Sequence, residues 1–234
     1  MPRSSFVLML LGMLACAPAY AGEPRLFLSW HAPYGRPGAS DRLWMDCQRM
    51  NKLDTLFMSF DPGVTTSGFT SFLATIRINA LDGDTLSSLW DSPSATGLPV
   101  WMKVEWKPDS TSGCGTPFRA SGMGGAALLH ARDGGRVLRI VYAVAPQDSV
   151  DVEAGQRYGL ARILIRRPGV GPGCHQPVCI RWTEAVLSHI AGVSLSVTPK
   201  GMAVSLNATS GAGCAEAVAT PPAKSDSLPP APGR

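Results

Sequence analysis

Alternation of apolar and polar residues at every second position is the feature that most limits the fold of this chain. It is clearest at residues 72–80, 100–106 and 138–144. Successive side chains of a β-strand point to opposite faces, so each segment predicts one buried stripe and one outward stripe. The residues predicted to face inward are Phe72, Ala74, Ile76, Ile78, Ala80, Val100, Met102, Val104, Trp106, Leu138, Ile140, Tyr142 and Val144.

Turn-forming residues separate these segments from further strand-like runs. The additional runs lie at 25–30, 54–60, 158–166, 178–182, 193–197 and 201–206, and "TPKG" at 198–201 predicts a hairpin between the last two. Helical patterns are short and confined to 84–90 and 183–190. About nine short strands without helices between them predict an all-β fold, an antiparallel jelly-roll or immunoglobulin-like β-sandwich. A parallel sheet would need crossover connections.

The amino terminus predicts export. One basic residue, Arg3, precedes an apolar stretch that ends in Ala19-Tyr20-Ala21, which is the pattern of a secretory signal peptide at residues 1–21. Leu14-Ala15-Cys16 also resembles a bacterial lipoprotein signal, which leaves lipid attachment at Cys16 as an alternative. The expected location is the periplasm, the cell surface or the extracellular space, with no transmembrane segment in the mature chain.

Composition supports a folded exported body with a short tail. Hydrophobic residues make up 45% of the chain and charged residues 16%, which is sufficient for one core at 22–218. The tail at 219–234 is Pro-rich and predicted to be disordered. The formal charge of +4 is weak, and the arginine cluster at 162–167 with Arg181 is interpreted as a solvated sheet face. We therefore expect no nucleic-acid partner.

The cysteines favour disulfides over metal or redox chemistry. Exported thiols are normally oxidised, and "CHQPVC" at 174–179 has neither the second pair of a zinc site nor the spacing of a thioredoxin-like motif. The predicted bonds are Cys174–Cys179 and, between two polar loops, Cys47–Cys114. Cys214 is then left over. Sequence alone does not fix the connectivity, and a zinc site at Cys174 and Cys179 stays open as an alternative.

Known catalytic arrangements are absent from the sequence. The four histidines lack the spacing of a helical metal site, and Glu184 has no identifiable carboxylate partner for glycoside hydrolysis. The glycines of "SGMGGAALLH" at 121–130 are expected in a mobile loop. Trp101 falls on the outward stripe of its strand, where an aromatic ring binds a sugar or a protein or is covered by a loop. Trp101 is thus the candidate binding residue, and no cofactor or metal is expected.

Several segments resemble the cohesin-type domain, a β-sandwich that binds dockerin-bearing proteins. They are "DTLFMSFDPGVTTSGFTSFLATIRI", similar to the cohesin pattern of a strand, a Pro-Gly corner and a core strand, then "RVLRIVYAV", "VEAGQRYGLARILIRRPG" and "CIRWTEAVLSHIAGVSLSVTPKGMAVSL". The resemblance covers residues 26–207. It implies a jelly-roll sandwich used for adhesion or assembly at a cell surface. The cysteines and an insertion around 107–135 depart from the cohesin pattern, so no cohesin binding residue is carried over.

The favoured hypothesis is an exported, non-catalytic β-sandwich that binds a protein or a polysaccharide at the cell envelope. One alternative is an envelope hydrolase or metal-dependent enzyme, suggested by the scattered histidines and carboxylates. Another is a purely structural envelope lipoprotein, held by lipid at Cys16.

Overall fold

The apolar stripes pack between two β-sheets in the computed structural model. It describes residues 22–49, 51–82, 85–91, 97–106, 114–118, 122–167, 173–192, 194–197, 202–208 and 214. The predicted signal peptide at 1–21, the lipidation candidate Cys16 and the predicted tail at 219–234 lie outside these residues and stay predictions. No helix in the described ranges is long and apolar enough to cross a membrane.

Twelve strands are formed by the described residues. They are β1 (Arg25–Trp30), β2 (Arg42–Leu43), β3 (Leu53–Asp61), β4 (Thr66–Ala80), β5 (Met102–Glu105), β6 (Met123–His130), β7 (Arg136–Ala143), β8 (Val150–Val152), β9 (Tyr158–Arg166), β10 (Val178–His189), β11 (Ser194–Val197) and β12 (Ala203–Leu206). Two short 3-10 helices, Ser88–Trp90 and Pro146–Asp148, lie between strands. The all-β class is confirmed.

The strands form a smaller and a larger sheet. The smaller sheet has the order β1-β3-β9-β5, and the larger has the order β2-β12-β10-β4-β7-β6, with β11 on β10 and β8 on β4. Neighbouring strands are antiparallel except β2 and β12. This pairing confirms the antiparallel sandwich, because two sheets with facing apolar stripes bury both stripes in one core.

The core contains most of the predicted inward residues. Phe72, Ala74 and Ile76 are fully buried, as are Trp30 and Trp182. Val100 departs from its predicted stripe, since it is 91% exposed and lies before β5 begins at Met102. The strand pattern at 72–80 therefore extends into the core along its whole length, whereas the pattern at 100–106 does so only from Met102 onward.

Three local predictions are wrong. The helical pattern at 183–190 is the second half of β10, and the expected mobile loop at 121–130 contains β6. The hairpin predicted at 198–201 is not formed, because β11 and β12 both pair antiparallel with the same edge of β10, β11 along 185–188 and β12 along 178–181. They therefore run in one direction, end to end.

The disulfide pairing differs from the prediction. Cys47 is bonded to Cys174 with a Cα–Cα distance of 6.1 Å, and Cys179 is bonded to Cys214 at 5.4 Å. The predicted bonds Cys174–Cys179 and Cys47–Cys114 are wrong. Cys179 lies within β10, whereas Cys174 precedes that strand on the side of Cys47, and Cys114 has a free thiol. Both bonds fit an oxidising compartment.

A buried ion pair holds one end of the smaller sheet. The Arg167 Nε donates to Asp54 Oδ2 at 2.6 Å and its Nη2 donates to Asp54 Oδ1 at 2.9 Å, with both side chains almost completely buried. A third guanidinium bond reaches the carbonyl oxygen of Asp46 at 3.3 Å. Donating these hydrogen bonds to the Asp54 carboxylate raises the pKa of Arg167. The sequence suggested that Arg167 lies on a solvated basic face. The structure shows that it is buried in an ion pair instead.

His189 makes the stability of the fold sensitive to acid. Its ring is 8% exposed, lies edge-on to Phe69 and has a buried Nδ1 without a hydrogen-bond partner. Burial lowers the pKa of His189 from its ordinary value of 6.5. The unfolded chain therefore binds a proton below about pH 6.5 that the folded chain rejects, and stability falls as the pH drops through the folded pKa.

We expect His189→Phe to flatten this part of the pH profile. Urea midpoints of the two proteins are measured from pH 7.5 to pH 5, and the midpoint of the wild type should fall more steeply toward pH 5 than that of His189→Phe. His130→Gln, which removes an exposed histidine from β6, should keep the wild-type profile. Parallel profiles for wild type and His189→Phe would contradict a buried neutral His189.

Candidate functional site

Trp101, the candidate from the sequence, is partly covered. It lies in the turn before β5, and its Nε1 donates to the carbonyl oxygen of Leu89 at 2.9 Å. Its ring packs edge-on against Trp90, with centroids 5.1 Å apart. The 3-10 helix Ser88–Trp90 thus occupies part of the surface that an open aromatic platform would need. The indole of Trp101 supports this helix and does not form an exposed patch.

The smaller sheet offers a minor surface beside Trp101. Leu53 and Val100 are exposed there, at the edge of a shallow cavity of about 320 Å³. Two of the charged side chains that line the cavity are paired, since Glu105 accepts from Lys103 at 2.9 Å. Glu105 also accepts from Arg162 on β9 at 2.6 Å. Hydrogen bonding, first from Lys103, lowers the pKa of Glu105 despite its partial burial. This surface therefore leaves few polar groups for a ligand.

The outer face of the larger sheet carries the more extended exposed surface. Its register places Val186, Leu73, Val141 and Gly125 side by side across β10, β4, β7 and β6. In the neighbouring row, Ser188 on β10 and Ser71 on β4 are followed by Ala143 on β7 and Met123 on β6. Leu73 is 38% exposed, Val141 is 46% exposed and Met123 is 83% exposed. We call these rows the apolar half of the face.

The other half of the same face is rich in arginine. Arg181 lies opposite Arg77, and Arg139 lies opposite Thr75 in the row between Arg77 and Leu73. A groove of about 890 Å³ opens beside them, and its lining includes Arg132 in the turn after β6. We call Arg77, Arg132, Arg139 and Arg181 the arginine half.

A β-bulge in β10 places the side chains of the arginine half and the apolar half on the same face of the sheet. The pairing of β10 with β4 shifts between Trp182 and Glu184, so Thr183 is an additional residue in the strand. Without it, Arg181 and Val186 would point to opposite sides of the sheet, because side chains alternate along a strand. Thr183 fixes the bulge through a hydrogen bond from its Oγ1 to the carbonyl oxygen of Thr75, 2.9 Å long.

One carboxylate balances part of the positive charge in the groove. Asp133 forms an ion pair with Arg77, whose Nε also donates to Asn79 Oδ1 at 3.2 Å. Burial acts to raise the pKa of Asp133, but hydrogen bonds from Arg77 and the Gly135 amide outweigh it and hold the pKa below its usual value. The groove lining contains three arginines, Arg77, Arg132 and Arg181, against this one carboxylate. The groove is therefore basic.

The arginine cluster suggested by the sequence is divided in the fold. Arg162 and Arg166 lie on β9 of the smaller sheet, whereas Arg181 lies on β10 of the larger sheet. The residues that form the outer face of the larger sheet were present in the sequence as the outward stripes of 72–80 and 138–144. What the sequence lacked was the register that sets these stripes side by side.

Metal-binding and thiol chemistry have little support in the described part of the chain. No three His, Cys, Asp or Glu side chains there converge on a point where they would hold a metal ion. Cys114 is partly buried. Burial raises the pKa of its thiol, against the opposing charges of Arg157 and Arg36, which disfavours the reactive thiolate.

Comparisons with known proteins give structural likeness only. No family model matches the sequence, and no curated protein matches it. Among solved structures, the cohesin module of a family 33 glycoside hydrolase from Clostridium perfringens is 10% identical, with 80% of this chain and 98% of that chain covered and a TM-score of 0.39.

Two further cohesins show a similar level of likeness. A type I cohesin–dockerin complex from Clostridium thermocellum matches at 9% identity over 81% of this chain and 97% of that chain, with a TM-score of 0.41. A type II cohesin domain from the cellulosome of Acetivibrio cellulolyticus matches at 7% identity over 79% and 95%, with a TM-score of 0.34. The chain is thus similar to cohesin modules, while its sandwich fold is established by its own strand pairing.

Proposed function

We propose that this chain is an exported, non-catalytic binding module that binds a protein through the outer face of its larger sheet. The observation that carries the proposal is the row of aliphatic side chains that faces outward across three strands, from Val186 on β10 through Leu73 on β4 to Val141 on β7. A strand face normally exposes polar residues when it borders water. Contiguous exposed apolar groups mark interaction surfaces.

The side-chain types favour a protein over a polysaccharide. The large exposed side chains of the apolar half are Leu, Val and Met, and the described residues of its two rows include no aromatic ring on which a sugar would stack. Met and Arg are enriched at protein interfaces, whereas Lys and Glu are depleted. The cations that line the groove are all arginines. Export is supported by the signal-like amino terminus and by the two disulfides.

A matched pair of surface variants tests the proposal. Leu73→Gln combined with Val141→Thr removes apolar contact from the larger sheet without adding charge. Leu53→Gln does the same to an exposed leucine of the smaller sheet. The wild type and both variants are immobilised in parallel and exposed to an extract of envelope proteins, to a dockerin module and to a glycan array, and affinities are then measured with each purified ligand.

We expect a protein ligand that binds the wild type and Leu53→Gln equally. It should bind the double variant at least about tenfold more weakly, because two central interface positions each contribute roughly 1 kcal/mol or more. Equal binding to all three proteins would contradict the proposed face. If a polysaccharide binds the wild type and loses affinity for the double variant, the ligand of this face is a glycan and not a protein. If binding is lost in Leu53→Gln, the binding site lies on the smaller sheet.

A further inference from the structure

The division of this face into two halves carries information about the partner. We infer that the partner is an acidic protein segment that docks in one orientation, with apolar side chains over Leu73 and Val141 and carboxylates over the arginine half. This inference rests on the proposed function and specifies the chemistry of the ligand at the same site. Its basis is the strand register, since neighbouring rows of one sheet face are about 7 Å apart.

Arginines outnumber carboxylates among the described residues of this face. The lining of the groove contributes Arg77, Arg132 and Asp133, and Arg139 is exposed on β7 in the next row, which it shares with Glu184 on the other side of β4. Leaving Arg181 aside, three arginines thus face two carboxylates in this part of the described structure. One of these carboxylates, that of Asp133, is already engaged by Arg77. The surplus positive charge favours an anionic partner and repels a second copy of the same face.

Arginine also selects the kind of anion. A guanidinium is planar and presents its donors as a fork that matches a carboxylate, and it is less strongly hydrated than an ammonium group. An aspartate or glutamate side chain would meet Arg139 without displacing an internal ion pair, because no carboxylate among the described residues forms one with Arg139. Glu184, in the same row, instead accepts from Thr75 at 3.4 Å. Arg139 is therefore the first residue to test.

The fixed distance between the halves determines the orientation of the partner. Arg139 is one row from Val141 on β7, with Ile140 buried between them. A partner that places apolar and acidic groups about 7 Å apart satisfies both rows at once. Adjacent turns of an amphipathic helix meet this requirement, because residues three or four positions apart lie 5–6 Å from each other. Reversing the helix would place its carboxylates over leucine and valine.

Two synthetic amphipathic helical peptides serve as probes. Both carry leucines along one face, and at one end of that face they carry either glutamates or lysines. Each is titrated into the ¹⁵N-labelled full chain, and amide chemical shifts map the site. We expect the glutamate peptide to shift amides around Leu73 and Arg139, with a dissociation constant that rises several-fold between about 50 and 200 mM salt. The lysine peptide should bind at least tenfold more weakly.

Charge variants complete the test. Arg139→Glu should lower the affinity for the glutamate peptide at least tenfold and raise the affinity for the lysine peptide. Arg166→Glu, the same change on the smaller sheet, should alter neither affinity. Equal affinities for the two peptides, no shifts with either one, or shifts on another surface would overturn the inference. So would tighter binding of polygalacturonate than of the glutamate peptide, or a dimer of the free chain in sedimentation velocity.

The inference and the proposed function fail in different ways. If a protein ligand fails to bind Leu73→Gln/Val141→Thr, but its affinity changes neither with salt nor in Arg139→Glu, the proposed binding face is correct and the inference of an acidic partner is wrong. If the double variant changes nothing, the face itself is wrong.

Discussion

Replacing Asp54 with Asn should lower the free energy of unfolding by about 3–5 kcal/mol, the usual cost of removing one partner of a buried ion pair. Arg167 cannot lose its proton, and its side chain is only 3% exposed, so the variant leaves an uncompensated charge in the core. The melting temperature should fall by between about 6 and 20 °C for a chain of this size. Urea unfolding and calorimetry measure both quantities.

Two controls separate this effect from general surface electrostatics. Arg49→Gln breaks the exposed ion pair with Asp46, whose N–O distance is 3.1 Å, and should cost less than about 1 kcal/mol. Asp54→Leu combined with Arg167→Met replaces both charges with apolar groups and should recover most of the lost stability. If Asp54→Asn costs no more than Arg49→Gln, the pair does not stabilise the fold as described.

The second large effect should come from the disulfides. Cys47 and Cys174 are separated by 127 residues and Cys179 and Cys214 by 35 residues. The chain-entropy model assigns about 5 kcal/mol to the first bond and about 4 kcal/mol to the second. We expect Cys47→Ala/Cys174→Ala to lower the free energy of unfolding more than Cys179→Ala/Cys214→Ala, with both measured by urea unfolding without reductant.

Cys114→Ser provides the matched control, because it removes a free thiol and no bond. Its stability should stay within about 0.5 kcal/mol of the wild type. Mass mapping of peptides under non-reducing conditions checks the pairing directly. A peptide containing a Cys47–Cys114 bond, or one closed between Cys174 and Cys179, would show that the structure has the connectivity wrong.

Strand identity could be predicted where the two faces of a strand differ in polarity without interruption. Residues 25–30 and 158–166 were predicted to the residue, and they form β1 and β9. The second half of β10 was not, because the bulge at Thr183 shifts the alternation by one position and makes residues 183–190 resemble a helical pattern. A local irregularity of this kind is fixed by contacts with β4, which a single sequence does not display.

The candidate site could not be predicted for a related reason. Leu73, Val141 and Arg139 belong to stripes that the sequence shows correctly as outward-facing, yet an outward residue is ordinary until its neighbours are known. Only the pairing of β4 with β7 and β10 gathers these residues. Trp101 is a candidate in the sequence because it falls on the outward stripe of its strand, and the contact that covers it comes from the preceding helix Ser88–Trp90.

The order of the cysteines along the chain has a consequence for biogenesis. Cys47 and Cys114 emerge before Cys174, so an oxidase that joins thiols as they appear would close a bond that the folded protein lacks. Native pairing then requires a thiolate to attack that bond and exchange partners. We expect the yield of correctly folded chain to be governed by isomerase activity in the host, with Cys114 as the thiol that is released last.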